Sequence, residues 1–66
     1  MKFVVKQDSA TGLWHWELRA AEGGAIARSD AGFRTPEEVI ARIHSIRLEA
    51  PRSLVFDLLG KPYEGI

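Results

Sequence analysis

Residues 13–20 read Leu-Trp-His-Trp-Glu-Leu-Arg-Ala, and this stretch decides the fold. Trp14, Trp16 and Leu18 alternate with His15, Glu17 and Arg19. A period of two places the apolar side chains on one side of a strand and the polar ones on the other. A strand of that kind belongs in an antiparallel sheet with one face packed and one face wet. Upstream, Asp8-Ser9-Ala10-Thr11-Gly12 reads as a turn, since Asp8 and Ser9 can bond nearby backbone groups and Gly12 accepts positive φ. Before it, Phe3 to Gln7 is rich in β-branched and aromatic residues and reads as a first strand. Downstream, Ala21-Glu22-Gly23-Gly24 is a hairpin turn. Ala25 to Ser29 follows as a short third strand, with Ile26 and Arg28 on one face and Ala25 and Ala27 on the other.

After a loop at Asp30 to Arg34, Thr35-Pro36-Glu37-Glu38 carries several helix-start signals. Thr35 suits the N-cap, Pro36 the first helical position, and Glu38 the far end of a capping box. Both glutamates favour the positive end of the helix dipole. Val39, Ile40, Ile43, Ile46 and Ala50 recur at helical spacing as one apolar stripe. Pro51 disfavours helix at Ala50, so the helix should stop about Glu49 or Ala50. Ser53 to Leu59 alternates Leu54, Phe56 and Leu58 with Val55, Asp57 and Leu59, which reads as a fourth strand that wants cover on both faces. The expected architecture is α+β: a two-layer sandwich in the order β-β-β-α-β, with an antiparallel sheet and one helix on one face. Residues 1–60 form the single domain and 61–66 a loose tail. The expected sheet–helix interface is Phe3, Val5, Trp14, Trp16, Leu18, Ile40, Ile43 and Ile46.

Composition bounds the functions open to such a unit. Sixty-six residues allow one domain, and 45% apolar content is ordinary for a folded chain. A core of this size leaves stability marginal unless it is well packed or the chain assembles with itself. Nine basic and nine acidic residues cancel, which speaks against a broad footprint for nucleic acid or anionic lipid. The absence of cysteine removes disulfides, thiolate metal sites and cysteine nucleophiles, and suits a reducing cytoplasm. The apolar run Phe3-Val4-Val5 ends at Lys6, short of the roughly 7–15 residues of a signal peptide. No partner membrane is expected.

Asp8, Gly12, Trp14, Trp16, Leu18 and Ala20, then Gly23, Ile26-Ala27 and Ser29, then Phe33 and Thr35, then Ile43 and Ile46, together resemble the YegP-like family, the domain of unknown function 1508. The resemblance runs from about Phe3 to Ala50. It departs from the family at Glu22, where Asn is usual, at the additional Gly24, at Pro36, where Lys is common, and in the loop 30–32. These positions touch turns and charges and leave the core alternation intact. The resemblance implies a β-β-β-α-β unit that occurs as tandem copies or as a single copy pairing with itself. It implies no activity.

No catalytic constellation stands out. His15 and Glu17 point the same way from one strand and spell H-x-E, but the zinc deaminase signature also needs cysteines. His44 lies one residue off the helix stripe, and Ser45 faces elsewhere, so no nucleophile–base pair forms there. Trp14 and Trp16 could stack bases or sugars, yet they lie on the face the helix must cover. Gly23-Gly24 is a hairpin turn and not a phosphate cradle. Asp57 is out of place in an apolar strand and could cap a neighbour or pair with an arginine. The expectation is a non-enzymatic module without metal or cofactor, acting as a homodimer through Val4, Val55, Phe56, Leu58 and Leu59. Its last strand would join the partner's sheet or pack against it. The alternative is a module for RNA or another anion, using Arg34, Arg42 and Arg47.

Overall fold

The computed structural model describes residues 1–63. Three strands, β1 (Lys2–Gln7), β2 (Trp14–Arg19) and β3 (Ala25–Arg28), form one antiparallel sheet in the order β1-β2-β3. Phe3 lies opposite Leu18, Val5 opposite Trp16 and Gln7 opposite Trp14. The apolar halves of β1 and β2 therefore share one face, as the alternation demands. The Phe3 and Trp16 rings meet edge to face at 5.6 Å and 75°, a favourable aromatic geometry.

Each turn closes through local bonds. Asp8 and Leu13 seal the first, where the Asp8 N–H donates to the Leu13 carbonyl at 2.8 Å and Asp8 Oδ1 accepts from the Ala10 N–H at 2.8 Å. In the second, the Ala20 N–H donates to the Gly24 carbonyl at 2.8 Å. β3 is exposed along its length and is offset from β2 by an irregularity at Leu18/Arg19, which leaves Ile26 54% exposed. Beyond β3, residues 30–32 loop out and Phe33 rejoins the sheet line, exchanging two backbone bonds of 2.7 and 2.8 Å with Trp14. The loop passes so close that a Cβ on Gly32 would stand 2.7 Å from Leu13 Cδ1 and 2.8 Å from Leu13 Cβ. Only glycine fits there without movement.

The helix α1 (Pro36–Glu49) begins and ends where its signals place it. The Glu38 N–H donates to Thr35 Oγ1 at 3.2 Å, and Glu38 Oε2 accepts from the Arg34 N–H at 3.4 Å, one residue before the usual capping-box partner. Val39 is fully buried, while Pro36, Ile43 and Ile46 are half-buried. Ile40 corrects one core assignment, being 47% exposed. It lies about 100° round the helix from Val39, and the stripe that meets the sheet is 36, 39, 43 and 46. Phe3, Val5, Trp14, Trp16 and Leu18 are all half-buried, as expected of a sheet under a single helix.

The fourth strand does not form among the described residues. After a single 3-10 turn at Ala50–Arg52, the chain folds back on itself. Asp57 makes the reversal: its Oδ1 accepts from the Leu59 and Lys61 N–H groups, each at 2.9 Å, and its own N–H donates to the Lys61 carbonyl at 2.8 Å. Gly60 supplies the positive φ of 86° that the turn requires. Phe56 bridges Pro62, and the Tyr63 N–H donates to the Val55 carbonyl at 2.9 Å. Local aspartate chemistry thus overrides the apolar alternation in the middle of the run. Residues 61–63, expected as a loose tail, are the return limb of this arm. The rest of the expected tail, 64–66, lies outside the described residues. The Cα radius of gyration is 14.2 Å and the longest extent 42 Å, against a radius of about 11 Å for a close-packed chain of this length. The chain is elongated by its C-terminal arm.

Candidate functional site

The two faces of the sheet offer different chemistry. On the side away from α1, the pairing brings Lys2 opposite Arg19, Val4 opposite Glu17, Lys6 opposite His15 and Arg28 opposite Glu17. Glu17 is only 6% exposed and sits at the centre. Its Oε2 accepts from Lys6 Nζ at 3.3 Å, and its Oε1 lies 2.8 Å from both Nε and Nη2 of Arg19. The bonds from Lys6 and then Arg19 hold its carboxyl below the ordinary carboxylate value, against the opposing pull of burial. Around this triad lies a shallow concavity of about 490 Å³ lined by Lys6, Ser9, His15, Arg28 and Ser29, with Gln7 and Asp8 at the turn. His15 Nδ1 stands 3.4 Å from Ser29 Oγ, which also accepts from the Trp16 N–H at 3.2 Å. Serine and histidine here tie the end of β3 to β2. Glu17 is committed to two cations, so the H-x-E pair is not presented as a pair of metal ligands. Among the described residues no three of His, Asp and Glu gather as a metal cluster.

The helix arginines are not brought together. Arg42 lies over the Phe33 ring, 5.8 Å from its centroid, in a cleft with Trp16, Ala31 and Ile46. Arg47 borders a different cleft, with Met1, Lys2, Phe3, Leu18 and Ile43. Arg34 is exposed before the helix start, and its backbone N–H faces Glu38. His44 is exposed on the helix.

The other prominent surface is apolar. Leu54 is 72% exposed, Val55 41%, Phe56 52%, Leu58 102% and Leu59 89%, all on the C-terminal arm. Val4, the remaining candidate interface residue, is half-buried on the polar sheet face. Sequence reasoning found the apolar arm residues and placed Asp57 among its open questions; the structure makes Asp57 the turn residue. It missed the grouping of Lys2, Lys6, Arg19 and Arg28 around Glu17. That signal lay in the parity of β1 and β3, which can be read only once the pairing register is known. Among the described residues no helix is long and apolar enough to cross a membrane.

No family model matches the chain, and no curated protein does. A solved structure does: the NMR solution structure of a protein from Haloferax volcanii is similar, with 27% identity and a TM-score of 0.76 over 85% of this chain and 92% of that one. The chain thus has a small α+β fold, three antiparallel strands followed by one helix, of a kind seen in that archaeal protein.

Proposed function

We propose that the chain is a non-enzymatic interaction domain that pairs with a second copy of itself, the C-terminal arm of each copy seated on the other. One observation carries the reading: five large apolar side chains between Leu54 and Leu59 stand in solvent on a projecting arm. Contiguous apolar exposure of that kind marks an interaction surface. A small body with one fully buried apolar side chain among the described residues, Val39, gains most from covering it. β1 and β3 are both open edges of the sheet, so an arm can add along an edge or pack beside it. Self-pairing through a closed two-fold axis covers both arms at once. The resemblance to the YegP-like family, whose units occur in pairs, points the same way.

The polar sheet face is a poor place for that contact. Two copies meeting through Lys2, Lys6, Arg19 and Arg28 would oppose like charges. Val4 lies among them, so the arm carries the contact and Val4 does not. The cysteine-free composition suits a cytoplasmic setting. Light scattering on the intact chain, from micromolar to near-millimolar concentration, tests the reading. The expected mass rises to twice the 7.4 kDa of one chain. A mass that stays at one chain throughout removes it.

A further inference from the structure

The chain is neutral as a whole, but folding sorts its charges. Four of its nine basic residues, Lys2, Lys6, Arg19 and Arg28, come to one face of a three-stranded sheet with one of its nine acids, Glu17. That acid is fully engaged. Both of its oxygens face cations, and the triad it forms with Lys6 and Arg19 still carries net positive charge. Asp8, at the rim, turns its Oδ1 back to the Ala10 N–H within its own turn. Arg28 is exposed, stands directly opposite Glu17, and makes no ion pair among the described residues.

We propose that this face is a phosphate-binding site, centred on the concavity between Lys6, His15, Arg28 and Ser29. The arrangement suits a tetrahedral oxyanion. Arg28 offers a planar fork and Lys6 a rotatable ammonium. The hydroxyls of Ser9 and Ser29 line the same concavity and add neutral donors. Glu17 acts as a positioning residue: by holding Lys6 and Arg19 it removes much of the side-chain freedom that two loose cations would lose on binding. The remaining cations, Lys2 and Arg19, lie opposite each other at the far end of the same strands. They extend the positive field along β1 by about 13 Å from Lys6 to Lys2. The face carries no Phe, Tyr or Trp among its residues, and its single imidazole, His15, faces Ser29 Oγ at 3.4 Å, so recognition rests on phosphate charge more than on base stacking. The site uses the polar face of the sheet, which the proposed self-pairing through the arms leaves uncovered.

Two phosphate sources share this chemistry: a small phosphorylated molecule and the backbone of a single-stranded nucleic acid. Backbone amide shifts of the labelled intact chain would be followed at low salt during titration with inorganic pyrophosphate and, separately, with a short oligothymidylate. Shifts on Lys2–Gln7, His15–Arg19 and Arg28–Ser29 are expected. Pyrophosphate binding at least as tight as the oligonucleotide assigns the site to small phosphorylated ligands. Much tighter oligonucleotide binding that weakens steeply with salt assigns it to a nucleic-acid backbone. Arg28→Glu, at an exposed position, should lower affinity about tenfold or more, while Arg52→Glu, in the exposed 3-10 turn after α1 and outside the concavity, should not. Absence of shifts with both probes at low salt overturns the proposal. So do shifts confined to α1, or unchanged affinity in Arg28→Glu.

Discussion

Leu58→Ala separates the stability of one chain from the stability of a pair. Leu58 is 102% exposed and so makes no apolar contact that its truncation could remove within a single chain. Unfolding of the isolated chain should change by less than about 0.5 kcal/mol. If the arm is seated on a second copy, the outcome differs. Truncation to alanine removes three carbons, which at about 0.8 kcal/mol each are worth about 2.4 kcal/mol when buried. A two-fold pair buries the residue twice, so the pair loses about 5 kcal/mol. At 1.4 kcal/mol per factor of ten, the dissociation constant should rise by more than three orders of magnitude. Sedimentation equilibrium over a wide concentration range measures this directly. The expected record is a wild-type mass that doubles with concentration and a variant that stays single, with matching circular dichroism at high dilution. A variant that pairs as tightly as wild type would show that Leu58 is not seated on the partner, and the arm would lose its role.

Three further outcomes follow from the body of the domain. Val39→Ala removes two carbons at a fully buried apolar position and should cost about 2–3 kcal/mol, seen as a fall of about 2 M in the urea midpoint; an unmoved midpoint would mean that the helix does not rest on Val39. Gly32→Ala forces a methyl to within 2.8 Å of Leu13 and should cost about 1–3 kcal/mol while displacing the Phe33–Trp14 bridge, with amide shifts at those residues as the readout. Glu17 contributes stability through a lowered carboxyl pKa, so its share is present above the ordinary value of 4.5 and is lost as pH falls through the lowered one. Urea midpoints of wild type should therefore decline on acidification more than those of Glu17→Gln, and parallel profiles would remove Glu17 as the cause.

The alternation of Trp14, Trp16 and Leu18 and the Thr35-Pro36-Glu37-Glu38 start carried three strands and the helix, because each is a local signal: side-chain period in one case, capping chemistry in the other. The register of β1 on β2 also follows from matching apolar faces, since a slip of one residue would turn Phe3 and Val5 away from the helix. The exposure of Ile40 was less legible. A stripe of five apolar positions fits a helix equally well at several rotations, and the narrow sheet chooses the one centred on Val39.

By itself, then, the sequence determined the elements whose hydrogen bonds and apolar faces are set within about a dozen residues. It also determined the apolar character of the C-terminal run, whatever backbone path that run takes. Tertiary structure decided three things. Residues 53–59 became a projecting arm and not a fourth strand, because a strand must close a loop back to a distant sheet edge, and without that pairing the Asp57 bonds to the Leu59 and Lys61 amides set the path. Pairing of three strands brought Lys2, Lys6, Arg19 and Arg28 together around Glu17, a grouping that no net charge reveals. And the helix arginines were parted, Arg42 to the Phe33 cleft and Arg47 to the Phe3 cleft, because residues five apart on a helix leave it about 140° apart.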